Sequence, residues 1–128
     1  MENISRPAGE RSPLVEFDFS TQSLLMEGES YPEDAAAFFG PLLEALQAYL
    51  AQAGGDSVVL NLKLAYFNSS SAKALMNMFQ MLEEAAEKGL TVTVNWHYHP
   101  DDDTMEEFGE DFSEDFRAAR FNMCPIPE

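Results

Sequence analysis

Leu60-Asn61-Leu62-Lys63-Leu64-Ala65-Tyr66-Phe67-Asn68-Ser69-Ser70-Ser71 is where an alternating apolar run stops and a helical one begins. Val58, Leu60, Leu62, Leu64 and Tyr66 share one period-2 face, and Val59, Asn61, Lys63 and Ala65 share the other. That is the pattern of a strand with one buried side. From Ala72 the apolar spacing becomes helical. Asn68 and the three serines at the junction accept turn geometry and cap free helix amides. The stretch therefore predicts a strand-to-helix turn with hydroxyls beside unpaired N–H groups, which suits an added phosphate. Capping alone explains serine at a helix start, so residue type by itself predicts no modification.

Downstream, Ala72, Leu75, Met76, Phe79, Leu82 and Ala86 form one core-facing arc at 100° spacing, and Ala74, Met78, Met81 and Ala85 form a neighbouring stripe. Either both stripes are buried, or Met78 and Met81 belong to a partner surface adjoining Ser69, where methionine suits an adaptable contact. Lys88-Gly89 ends this helix, and Leu90 to Trp96 alternates as a strand. Asp101 to Asp103 lead into a third helix with Met105, Phe108, Phe112 and Phe116 on one side and acids on the other. Ala118 to Met123 reads as a last short strand.

Upstream, residues 1–13 lack periodicity and read as a mobile leader, leaving residues 14–128 as one domain. Leu14 to Phe19 and Leu24 to Glu27 flank a turn, forming a hairpin. A helix begins near Pro32, with Phe39, Leu42, Leu43, Leu46 and Leu50 on its buried face. Gly40-Pro41 predicts a kink or two abutting helices, and Gly54-Gly55 the end of the segment. This order of elements indicates an α/β layer domain with a mixed sheet.

With 128 residues the chain is sized for one core. A formal charge of −16 disfavours nucleic acid and anionic membrane surfaces, and it fits either a partner with a basic patch or solubility alone. One cysteine, Cys124, excludes an internal disulfide, and there is neither a signal-like apolar segment at the start nor a membrane-length apolar run, so a cytoplasmic location is expected. No phosphate-binding glycine loop, nucleophile set or ligand cluster of convincing spacing is present, so neither enzyme activity, cofactor nor metal is expected.

Gly28-Glu29-Ser30-Tyr31-Pro32-Glu33, Tyr66-Phe67-Asn68-Ser69-Ser70-Ser71, Met81-Leu82-Glu83-Glu84-Ala85, Val94-Asn95-Trp96-His97-Tyr98 and Glu110-Asp111-Phe112 are short motifs whose order is more specific than any one of them. Through them the sequence resembles the SiaC family of bacterial regulatory phosphoproteins over nearly its full length. The resemblance implies a single STAS-like domain with a mixed β-sheet packed against helices. It implies phosphorylation of the hydroxyl directly after the turn asparagine, here Ser69, by a dedicated serine/threonine kinase, with removal by a PP2C-type phosphatase. Ser69 stands where a family member carries threonine, and Ser70 and Ser71 are the less favoured acceptors. The unphosphorylated form is expected to bind and activate a diguanylate cyclase, with Asn68, Ser70, Ser71, Ala74, Met78 and Met81 as the partner surface. The alternative is an anti-sigma-factor antagonist using the same turn on a different client.

Overall fold

A computed structural model of the protein describes residues 2–53 and 56–127, so the Gly54-Gly55 helix stop lies outside the described residues. Strands β1 (Ile4–Arg6), β2 (Leu14–Asp18) and β3 (Ser23–Ser30) precede helix α1 (Ala35–Gln52). Then β4 (Ser57–Phe67), α2 (Ser69–Glu87), β5 (Thr91–Tyr98), α3 (Asp103–Ser113) and β6 (Arg120–Pro125) alternate. The six strands lie in sequence order, antiparallel from β1 to β3 and parallel from β3 to β6. The expected α/β domain with a mixed sheet is the one observed. The mobile leader expected over residues 1–13 is corrected at Ile4–Arg6, which pairs with Val15 to Phe17 as an edge strand. Three residues are too few to show a period, but Ile4 packs on the core and Arg6 lies over the Phe38 ring.

One sheet face is covered. Leu24 and Met26, Leu60 and Leu62, and Val94 and Trp96 are buried beneath the helices, while Glu27, Asn61, Lys63 and Asn95 alternate with them on the opposite, polar face. On that face Asn122 donates to Asn95 at 3.0 Å and Asn95 donates to Asn61 at 3.1 Å, a side-chain ladder across three parallel strands. His97 Nε2 lies 3.0 Å from the same Asn61 oxygen, so that nitrogen carries the proton.

Helix α1 runs without interruption through Pro41, in contrast to the expected kink or break. Two features permit this. Gly40 has no Cβ to meet the proline ring from the preceding residue. Pro41 and Ala37, whose carbonyl loses its helical donor, both face solvent, where water can replace the bond. The helix expected to begin near Pro32 starts at Ala35, with Asp34 as its N-cap, the Asp34 side chain accepting from Ala37 N at 3.0 Å.

Around the third helix the core is aromatic. Trp96 is buried, and its indole N–H donates to the Met105 carbonyl at 2.9 Å. Phe67, Phe112 and Phe121 surround its ring. Gly109 is the residue over which α3 approaches Trp96, since a Cβ there would stand 2.4 Å from Trp96 Cδ1.

Candidate functional site

The turn between β4 and α2 sits at the carboxyl end of a central parallel strand, the edge where α/β sheets place working loops. Asn68 is the N-cap of α2, and its side-chain oxygen accepts from Ser71 N at 2.9 Å. Its own N–H donates to the Ser30 carbonyl at 3.1 Å. Ser71 Oγ donates to that same carbonyl at 3.0 Å and lies 2.8 Å from Ser30 Oγ. The Ser71 hydroxyl proton is committed to the carbonyl, so Ser30 Oγ is the donor in the second contact. The end of β3 and the start of α2 are thus clamped together. Ser69 and Ser70, the first two residues of α2, project from the clamp and are exposed.

The expected cluster is therefore divided by the fold. Ser69 and Ser70 are accessible, and Asn68 is half-buried as the cap. Ser71, expected as a lesser acceptor and partner contact, is corrected to a buried structural residue with 0% exposure. Met78 is corrected likewise, being 0% exposed, whereas Ala74, 8% exposed, lines a groove between α1 and α2. Met81 is half-buried against the core, in a groove with Gln47, Leu50 and Lys88, and stands about 18 Å along α2 from Ser69 at the helical rise of roughly 1.5 Å per residue. Met76, assigned to the core arc, is instead 53% exposed. Because α2 packs on α1 at its side as well as on the sheet below, the buried arc is rotated toward Ser71, Ala74 and Met78.

Three features around α2 and its turn escaped the sequence. The first is a groove of about 390 Å³ between α2 and α3, floored by Phe79, Phe112 and Phe116, and the second is a groove of about 360 Å³ that shares Asn77 with it. The second lies between α1 and the first turns of α2, lined by Ala35, Ala36, Phe39 and Leu43 with Ser70 and Lys73. Residues four apart in sequence share a helix face, so Lys73 stands one turn beyond Ser69. The third is Tyr66, expected inward but 50% exposed and edge-on to Tyr31 at 5.9 Å. A register shift lets Leu64 face Gly28 while Tyr66 faces Glu29, so Ala65 is the extra residue of a β-bulge. The bulge reverses the inward phase, turning Phe67 in and Tyr66 out beside the serine turn.

The arrangement presents an exposed hydroxyl beside free amides at a helix N-terminus. Among the described residues the Ser71 N–H is occupied by the cap and Ala72 N–H by the Asn68 carbonyl, while Ser69 and Ser70 N–H have no backbone or side-chain acceptor. Those two amides, the positive end of the helix dipole and Lys73 are the groups available to an anion on Ser69. Among the described residues no cluster of histidine, cysteine and acid side chains is arranged to hold a metal ion, and no helix is long and apolar enough to cross a membrane.

The SiaC family model, described as a SiaC family regulatory phosphoprotein, matches residues 6–126. An uncharacterized protein of Pseudomonas aeruginosa is 35% identical over 115 residues, 90% of each chain. The crystal structure of apo-SiaC from Pseudomonas aeruginosa superposes with a TM-score of 0.88 at 34% identity, covering 97% of this chain and 99% of that one. A chain in the crystal structure of the diguanylate cyclase SiaD in complex with its activator SiaC, from the same organism, superposes with a TM-score of 0.91 at 32% identity over 96% of this chain and 99% of that one. Motif order, topology and whole-length similarity converge, and the chain belongs to the SiaC family of regulatory phosphoproteins.

Proposed function

We propose that the unphosphorylated protein binds and activates a diguanylate cyclase in the cytoplasm, acts as a regulator and not as an enzyme, and is released by phosphorylation of Ser69. A dedicated serine/threonine kinase adds the phosphate and a PP2C-type phosphatase removes it. The single observation that carries the reading is the likeness over 96% of the chain to a protein solved with its cyclase partner. The exposed hydroxyl of Ser69 beside an apolar groove supplies the switch.

Phosphoserine carries about −1.5 to −2 charges at neutral pH and strong acceptor oxygens. The α2 amides and Lys73 satisfy part of that charge within the domain, so the fold stays as it is. A client whose apolar side chains enter the α1–α2 groove beside Ser70 must desolvate the rest. That penalty opposes binding because a buried, incompletely paired charge costs more than a modest contact returns.

The test is co-purification of wild type, Ser69→Ala and Ser69→Asp from native cells, with intact-mass analysis of bait and prey. A cyclase should accompany wild type and Ser69→Ala, and one phosphate should be found on wild type and not on Ser69→Ala. Recovery of an anti-sigma kinase in place of any cyclase would replace the client in this reading, and an unchanged phosphate on Ser69→Ala would move the acceptor.

A further inference from the structure

The α2–α3 groove opens on the α3 side of α2, shares Asn77 with the α1–α2 groove and does not include Ser70 in its lining. Its floor is Phe79, Phe112 and Phe116, with Phe79 edge-on to each of the other two. Met76, more than half exposed, forms its lip. Its rim is acidic: Glu84 and Glu87 are exposed on α2, and Asp115 faces them from the segment after α3. Glu83 is committed elsewhere, accepting from Arg117, Ala118 and Ala119 N–H at 2.9 to 3.2 Å, with the Arg117 charge acting on it. No lysine or arginine is among the residues lining the groove.

We propose that this groove docks a basic amphipathic helix of a partner protein, apolar side chains on the phenylalanine floor and lysines or arginines against Glu84, Glu87 and Asp115. Charge selects this occupant. A second copy of this chain is disfavoured by like charge, since each copy carries −16. A small anion meets the same repulsion. The chain's own N-terminal arginine strand is already paired in the sheet at Ile4–Arg6. An apolar floor with a charged rim is the form in which grooves receive amphipathic helices, the floor supplying affinity and the rim orientation.

This docking goes beyond the phosphorylation switch and is separate from it. Along α2 at the helical rise, the acidic rim at Glu84 lies about 22 Å from Ser69 and the near lip at Met76 about 10 Å, both beyond the screening length of about 8 Å at physiological salt. The partner at this groove therefore binds both phosphorylation states, leaving it able to stay attached while the client at the serine turn comes and goes.

The probe is a synthetic amphipathic helical peptide with leucines along one face and flanking lysines, alongside a twin with glutamates in place of the lysines. Isotope-labelled full-length protein is titrated with each and followed by amide NMR and calorimetry. The lysine peptide should shift Met76, Gln80, Asp115 and Phe116. Glu84→Lys with Glu87→Lys should weaken it about tenfold or more, the equivalent of about 1.4 kcal/mol, with urea midpoints confirming that the fold is intact. Glu44→Lys, reversing an exposed acid on α1, and Ser69→Asp should each change affinity less than about twofold, well under that 1.4 kcal/mol. Absence of lysine-peptide binding, equal binding of the glutamate twin, shifts centred on the α1–α2 groove, or equal weakening by Glu44→Lys would each overturn the proposal. A failure of cyclase activation leaves all of these readouts unchanged, so the two ideas fail separately.

Discussion

Ser71 and Ser30 are buried against each other, with Ser71 Oγ donating to the Ser30 carbonyl at 3.0 Å and lying 2.8 Å from the Ser30 hydroxyl. The pair ties the end of β3 to the first turn of α2, leaving Ser69 to point outward on a fixed base. Ser71→Ala removes one partner of a fully buried pair and should lower unfolding free energy by about 1–3 kcal/mol. Ser69 phosphorylation by the kinase should persist in that variant. Urea unfolding and intact mass give the two readouts, and loss of the phosphate with an intact fold would identify Ser71 as the acceptor.

The groove beside Ser70 gives a second prediction. Ala36 is exposed on α1 and lines that groove. Ala36→Trp should leave stability within about 0.5 kcal/mol, as exposed substitutions generally do, because the new ring lies over surface and displaces no core atom. Cyclase activation should fall, since the ring occupies the space proposed for the client. Product formation at saturating and limiting regulator concentrations separates weaker binding from lost activation.

Helix α3 is held close to the sheet by Gly109. A methyl group there meets Trp96 Cδ1 at 2.4 Å and Nε1 at 2.7 Å, and the indole is fixed by its bond to Met105. Gly109→Ala should therefore destabilise by about 1–3 kcal/mol through overpacking, against a helix-propensity gain of about 1 kcal/mol or less. A lower urea midpoint with changed tryptophan emission is the expected result.

Glu83 gives the protein a pH dependence. Partial burial raises its pKa, but the N–H bonds from Ala119, Ala118 and Arg117 and the Arg117 charge outweigh that and leave it below the ordinary glutamate value of 4.5. A carboxyl depressed in the folded state contributes stability that is complete above its unfolded pKa and is lost as pH falls through the lowered folded one. Wild type should thus lose stability below about pH 4.5, the unfolded reference. Glu83→Gln should be less stable than wild type at pH 7, and the gap should narrow as pH falls below about 4.5, by denaturant unfolding across that range.

Much of the fold is legible in the residues because alternation and 3.6-residue spacing report burial directly. The central strand, the three helices, the hairpin and the order of elements all follow from such runs. Three things do not. Ile4–Arg6 is too short to display a period, and its place comes from pairing with β2. Tyr66 and Phe67 are both aromatic, so only the bulge opposite Gly28 and Glu29 decides which points inward. In α2, methionine and alanine occupy nearly every face, and the rotation is set by the neighbouring α1, which brings Met78 inside and leaves Met76 out. The turn carrying Ser69 was visible in sequence, whereas the grooves along α2 depend on distant segments meeting.

The most direct measurement is cyclase product formation with purified cyclase and this protein, before and after stoichiometric phosphorylation, with the Ser69→Ala variant in parallel. Unmodified protein and Ser69→Ala should both stimulate, the phosphorylated protein should not, and phosphatase treatment should restore stimulation. Equal stimulation by the phosphorylated and unmodified forms would contradict control through Ser69.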